Sequence, residues 1–426
     1  MVAPVPAHLL PDTAVIDTNG HLSVGGVDLA DLAAEFGTPL FVYDEEHLRA
    51  RCREAVETFG PGVAYATKAF LCVAMARLAH EEGMHLDVAT LGELHVAEVA
   101  GVPASDCVLH GNNKSMAELR AAIERGVGRI VIDSFDELDR IEMIHAENGA
   151  VANALLRITP GIEAHTHEFI ATGQDDSKFG FTVSTGLAER AIARAAASPA
   201  VVLHGIHAHI GSQVFRVDSL RSSAEMLAAI AGRFDLPELS VGGGLGVAYV
   251  SGEEAPTIAQ WGKAVLDGAR ASGIDARIVA EPGRSIVATA GLTVYEVGTI
   301  KTLEGIRTYV AIDGGMSDNP RPVLYGSGYE CFVADRANSD RELEVRVVGK
   351  HCESGDIVVR DGFAPADLAV GDLLVTPVTG AYGHSLASNY NKMLRPPVVF
   401  VRDGNARVVV RREELDDLTR LDVSAE

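Results

Sequence analysis

No two cysteines stand at Cys-x-x-Cys spacing, and the five present (Cys52, Cys72, Cys107, Cys331 and Cys352) are too scattered for a disulfide framework or a zinc or redox pair. Reduced thiols are expected. Basic residues are also scarce: 36 Lys and Arg against 59 Asp and Glu give a formal charge of −23, which repels nucleic-acid phosphates and anionic membrane surfaces. No apolar run is long enough to span a bilayer and no basic, apolar, small-residue leader opens the chain, so a soluble cytoplasmic protein is expected. The run Gly-Gly-Gly-Leu-Gly at 242–246 misses the Gly-x-Gly-x-x-Gly spacing, which disfavours a dinucleotide fold.

What is abundant is short apolar segments rich in Val, Ile and Ala: 62–68, 85–89, 107–111, 129–133, 154–159, 201–211, 238–244 and 276–283. Between them lie stretches such as 116–126 and 219–234, whose apolar residues recur every three to four positions, the period of a one-faced helix. Eight β-then-α units predict an α/β fold, a (β/α)8 TIM-type barrel over 46–290, with an open doubly wound sheet as the alternative. After 291 strands follow one another with turn signals between them, ending in a hairpin that turns at Asp403-Gly404-Asn405. Residues 1–45 join 291–426 in a second, mostly antiparallel β-domain, sandwich- or barrel-like.

Chemistry in such barrels gathers where the strands end on their carboxyl side, because those loops vary while the strands hold position. Here the ends carry Lys68, Asp87, His110, His209 with Ser212, the Gly242-Gly243-Gly244 turn, and Glu281-Pro282-Gly283-Arg284. A lysine at an apolar strand end is costly to bury as a cation, and desolvation pushes it toward nucleophilic use; a snorkelling lysine is the plainer reading. Three glycines with Ser212 offer N–H groups and a hydroxyl for a phosphate, with Arg284 as counter-charge, although a tight turn also explains glycines. Strand alternation puts His207 and His209 on one face and His204 on the other; with no carboxylate in the same motif, no metal is expected. A ring stacked on a flat cofactor suits His209 better. Together these groups describe a pyridoxal 5′-phosphate site, with Lys68 forming the Schiff base and Glu281 facing the pyridine nitrogen.

Nine motifs in order, YATKAF (65–70), HGNNKS (110–115), EAHTHEFIATGQDDSKFGF (163–181), HAHIGSQ (207–213), GGGLG (242–246), EPGR (281–284), DNPRPVLY (318–325), CESGD (352–356) and GAYGHSLASNYN (380–391), make the chain resemble the fold-type III pyridoxal-phosphate decarboxylases over nearly its full length. The resemblance implies catalytic roles for Lys68, His209, Glu281 and Cys352. It implies cofactor contacts at Lys68, Asp87, His209, Ser212, Gly242, Gly243, Gly244, Glu281, Pro282, Gly283, Arg284 and Tyr382, and substrate contacts at Arg284, Arg321, Tyr325, Glu353 and Tyr382. It also implies a homodimer whose CESGD loop serves the second subunit's site. Phe70 and Thr90-Leu91 depart from the family pattern, which has Asn at the first position and usually Ser-Gly at the second.

A substrate with a distal amine needs a carboxylate such as Glu353; one with a distal carboxylate as well needs the donor set Arg284, Arg321 and Tyr325. The expected reaction is therefore decarboxylation of meso-2,6-diaminopimelate to L-lysine and carbon dioxide, with the Cys352 thiol as the acid that reprotonates the carbon. Decarboxylases of ornithine, arginine or a carboxylated polyamine precursor are the nearest rivals. A racemase is disfavoured by the strong partner Glu281, and a silent relative by the presence of both Lys68 and Cys352.

Overall fold

In the computed structural model, which describes residues 2–161 and 174–423, all eight apolar segments are strands. They are β1 (Ala64–Ala66), β2 (His85–Val88), β3 (Cys107–Leu109), β4 (Arg129–Ile132), β5 (Ala152–Thr159), β6 (Val201–His207), β7 (Glu238–Ser240) and β8 (Arg277–Val279). Each pairs in parallel with its neighbour in chain order. The ring closes through Ala64 N–H to Ala280 O (2.9 Å) and Ala66 N–H to Pro282 O (3.0 Å). A closed barrel, not an open sheet, is the outcome.

The strands are shorter than the apolar runs, but backbone hydrogen bonds run on past their ends, His110 N–H to Val88 O and Glu281 N–H to Gly242 O both at 2.8 Å. Small and branched side chains fill the interior, Ala64, Val108, Val131 and Leu155 forming one buried cluster. The connecting helices start where the sequence supplies a hydroxyl to take up a free N–H: Ser115 with Glu118, and Thr257 with Gln260, form reciprocal capping boxes. Thr90 does the same, accepting from Glu93 N at 3.2 Å, so the departure at this position keeps the hydroxyl that the helix Leu91–Val99 requires. Phe70 is fully buried, its carbonyl accepting from the Tyr65 hydroxyl at 2.6 Å.

Two compact units divide the chain: Arg51–Val247 with Ala255–Ser285, which holds the barrel, and Met1–Ala50 with Ala248–Glu254 and Ile286–Glu426. The long strand Gly291–Leu303 organises the second unit, pairing antiparallel with Leu40–Asp44, Arg307–Ile312 and Leu373–Pro377. Its sheet is mixed, since Leu40–Asp44 runs parallel to Val398–Arg402 and Arg307–Ile312 parallel to Leu343–Val348. The predicted hairpin is present: Val398–Arg402 pairs with Asn405–Val410 around Asp403 (φ 51°) and Gly404 (φ 74°), the two left-handed residues a tight hairpin turn needs. Segment 248–254, expected within the barrel domain, lies in this second unit. Tyr249 packs edge-on against Tyr329 at 5.3 Å, and Ser251 N–H reaches Glu330 at 2.8 Å. No helix among the described residues is long and apolar enough to cross a membrane.

Candidate active site

At the carboxyl end of the barrel, Glu281 follows β8 by two residues and is buried. Both of its oxygens are occupied. His207, the last residue of β6, meets Oε2 at 2.9 Å; Ser240, the last residue of β7, donates its hydroxyl to Oε1 at 2.9 Å. His110, one residue past β3, stands 3.4 Å from Oε1 and 3.6 Å from Asp87 Oδ1. Burial opposes the charge on Glu281, but His207 and His110 hold its carboxyl well below the usual range. Asp87 is pushed up by burial, which outweighs the pull of His110. His110 is raised because Asp87 and Glu281 together outweigh its burial. His207 is driven by burial down to about 4.

The sequence reading found no carboxylate beside the histidines; the fold supplies one from the end of β8. His110, His207 and Glu281 bring potential donor atoms within 4.8 Å of one another, although the 2.9 Å His207–Glu281 contact is a hydrogen bond between two of these side chains. His204 points elsewhere, to Asn153 Oδ1 at 3.0 Å. The His165-Thr166-His167 stretch, and with it much of the 163–181 motif, lies outside the described residues.

Lys68 does not end the strand itself. It sits in the one-turn helix Thr67–Ala69 just after β1 and is exposed rather than buried, so access and not desolvation distinguishes it here. Thr67 anchors that turn through its hydroxyl to Asp87 O at 2.8 Å. Gly283 belongs to the same corner: a Cβ there would lie 2.9 Å from Ala66 Cβ. The buried Pro282 supplies the carbonyl that closes the ring. His209 receives the Gly243 N–H on Nδ1 at 3.2 Å, which leaves its proton on Nε2. Burial and the Lys68 charge keep its pKa well below the ordinary value, so its ring is neutral.

The glycine turn is packed too tightly for any side chain. A Cβ would stand 2.4 Å from Ala208 O at Gly242, 2.4 Å from Glu281 O at Gly243 and 2.3 Å from Gly211 O at Gly244. Two of its N–H groups are already engaged, Gly242 with Ser240 Oγ and Gly243 with His209. The turn therefore places Ser240 and His209 as well as offering an anion cradle. Beside it Arg284 donates to Ser212 Oγ at 2.9 Å, and the Ser285 hydroxyl is buried with no hydrogen-bond partner among the described residues. A hydroxyl and a guanidinium joined near an orphaned buried hydroxyl suit a phosphate group, and the ionised Glu281 suits a protonated ring nitrogen. The residues present fit pyridoxal 5′-phosphate.

The second unit carries the other candidate residues. Arg321 opens the short helix Arg321–Tyr325 and is buried. Its Nη1 donates to the Tyr329 hydroxyl at 2.6 Å, and its guanidinium carbon lies 4.0 Å above the Tyr249 ring. No acid pairs with it among the described residues, and its Nε is buried without a partner. Burial opposes this charge, but the phenols of Tyr249 and Tyr329 keep its pKa above the ordinary value. Tyr325 and Tyr382 are half-buried, Tyr382 with left-handed backbone (φ 58°).

Cys352 and Glu353 lie exposed in the loop between Leu343–Val348 and Ile357–Ala364. Asn391 Oδ1 accepts from Cys352 N–H at 3.2 Å and faces His351 Nδ1 at 3.2 Å, while the Tyr390 hydroxyl reaches Glu353 at 3.3 Å. The loop is thus pinned and its two reactive side chains remain accessible. Of the residues that matter here, the sequence reading gave no role to Ser240, Tyr249, Tyr329 or Asn391. It noted His110 and His207 without their shared partner.

Upstream of Arg321, Asp318 is buried, accepting from the Tyr295 hydroxyl (2.7 Å) and Gly315 N–H (2.9 Å). Burial raises its pKa from 3.8 to about 7. The folded state then holds a proton that the unfolded chain has released, so this group costs stability progressively as pH rises from about 4 to about 7. Asp318→Asn should flatten that part of the stability–pH curve in denaturant titrations at pH 5 and pH 8; an unchanged slope would remove Asp318 as its source.

Residues 45–288 match the family model described as pyridoxal-dependent decarboxylase, pyridoxal binding domain. The chain is 46% identical to the diaminopimelate decarboxylase of Mycobacterium bovis, with 97% of each chain covered. It is 44% identical to that of Bacillus subtilis, covering 97% of this chain and 98% of the relative. The crystal structure of diaminopimelate decarboxylase from M. jannaschii in complex with L-lysine superposes with a TM-score of 0.89 at 32% identity, over 97% of this chain and 98% of that one.

Proposed function

The chain belongs to the pyridoxal-dependent decarboxylases, and from that premise we propose that it converts meso-2,6-diaminopimelate to L-lysine and carbon dioxide, the closing step of lysine formation. The observation that carries the substrate is Arg321, a buried guanidinium set among phenols and, among the described residues, in no ion pair with an acid. A cation kept in that setting calls for an anion from outside, and the distal carboxylate of the diacid is one. Ornithine and lysine have no distal carboxylate.

Bound pyridoxal 5′-phosphate supplies the electron sink for the pair left behind when the α-carboxylate departs. Lys68 Nζ would hold it covalently, and the neutral ring of His209 would lie against its face. Ser212, Arg284 and the Gly242–Gly244 turn, with Tyr382, would take the phosphate, and Glu281 would keep a proton on the pyridine nitrogen. Asp87, Pro282 and Gly283 complete the pocket wall. Arg321, with Arg284 and Tyr325, binds the distal carboxylate, and Glu353 pairs with the distal ammonium. The α-carboxyl leaves as carbon dioxide, and a proton from Cys352 Sγ takes its place on the carbon.

The protein acts as a homodimer, with Cys352 and Glu353 of one protomer serving the partner's cofactor site, and works in the cytoplasm. Five free thiols suit a reducing compartment, and an exposed Cys352 on a pinned loop suits delivery to a second copy. Cys352→Ala should keep its cofactor and lose about a hundredfold in kcat, the usual worth of a positioned acid. Mixing it with Lys68→Ala protein should restore about a quarter of wild-type activity, since a two-fold dimer formed at random gives half mixed dimers with one intact site each. Release of carbon dioxide from the diacid, compared with ornithine, arginine and lysine, tests the substrate; release from a diamine alone would overturn it.

A further inference from the structure

Glu281 takes hydrogen bonds or close charge from residues at the ends of three different strands, while a second buried acid, Asp87, shares His110 with it. We propose that His207 and His110 are positioning residues that hold Glu281 as a fixed, ionised carboxylate and so set the pH range over which the pyridine nitrogen keeps its proton. This rests on the reading of Glu281 given above.

The two histidines do different work. His207 Nδ1 is buried without a partner, so a proton there would be stranded, and the ring carries its hydrogen on Nε2, aimed at Glu281 Oε2. With a pKa of about 4 it stays a neutral donor across the working range. His110 instead stands between two buried carboxylates, 3.6 Å from Asp87 and 3.4 Å from Glu281, and is the compensating cation for the pair. The rings of the two histidines meet edge to face at 4.9 Å. Arg157, His209, Lys68, Asp133 and Glu93 are other charged or titratable groups that act on this cluster, Asp133 through His110 and Glu93 through Asp87. Arg157 adds a positive charge that favours the ionised form of both carboxylates, against the burial that raises Asp87.

The test uses holoenzyme carrying His207→Leu, His207→Gln or His110→Gln. In H207Q the introduced amide falls near the Nε2 position and can donate to Glu281, whereas leucine cannot. In His207→Leu, kcat should fall about fiftyfold at pH 7.5 with KM within about threefold, and its pH profile should shift by about one unit. H207Q should recover at least about tenfold of the loss. The cofactor's visible absorbance, titrated with pH in the absence of substrate, should change midpoint in His207→Leu and in His110→Gln but not in H207Q. If the leucine variant does not fold, His207→Asn, whose amide lies at the Nδ1 position, serves as the loss variant. A loss variant with the wild-type absorbance midpoint and kcat profile, or a glutamine no better than it, would overturn the inference while the decarboxylase reading stands. Wild-type protein that takes up no pyridoxal phosphate would overturn that reading, and this inference with it.

Discussion

Alanine in place of Lys68 should remove the protein's visible cofactor absorbance and lower kcat by about ten-thousandfold or more, the combined loss of a covalent anchor and of a positioned acid–base group. The expectation follows from where the residue sits. Lys68 is held at the carboxyl end of β1 by a turn whose neighbours on both sides, Thr67 and Ala69, are buried, while the lysine alone is exposed. Its backbone is therefore set by packing and its side chain stays accessible to a ligand. The Thr67 hydroxyl ties that turn to β2, and Gly283 lets β8 approach Ala66 closely, so the substitution removes the amine without disturbing its support. Thermal unfolding of the cofactor-free variant should match cofactor-free wild type. A Lys68→Ala protein that keeps the absorbance band, or more than about one per cent of wild-type turnover, would place the anchoring amine elsewhere.

The barrel was legible because its strands are buried on both faces and read as near-continuous apolar runs, a signal that is local in the sequence. The ends of those runs were less so. Lys68, His110, His209 and Glu281 fall beyond the bounds of their strands, and apolar character does not mark where regular pairing ends. Residue types at strand ends were enough to suggest the cofactor, since lysine, histidine, glycine and glutamate at those places fit few other uses. Their pairing was not legible: Glu281 meets His207 across 74 residues and Ser240 across 41, contacts that arise only because β6, β7 and β8 lie side by side with their ends in register. Arg321 illustrates the same limit. The sequence marked it as a cation in a motif, but its burial under Tyr249, from a segment assigned to the other domain, appears only in three dimensions.

Leucine in place of Arg321 should lower kcat/KM for meso-2,6-diaminopimelate by about 10²- to 10³-fold, which falls inside the roughly 2–5 kcal/mol lost when a buried charge pair is deprived of one partner. The size follows from the setting. Arg321 is buried, so an anion bound to it is shielded from water, and its guanidinium is already oriented by the Tyr329 hydroxyl and the Tyr249 ring. Little ordering is then left for the substrate to bring about, and most of the attraction appears as binding. The test of specificity is the comparison with L-lysine, which has the distal ammonium but no distal carboxylate. Any slow turnover of lysine should change by less than about threefold, because leucine fills similar space and removes a group lysine does not use. Equal losses on both substrates would mean that Arg321 supports the fold of the site, and an unchanged diacid rate would assign the distal carboxylate to Arg284. Tyr329→Phe should fall between, raising KM by about tenfold, since it removes one hydrogen bond to the guanidinium and leaves the charge in place.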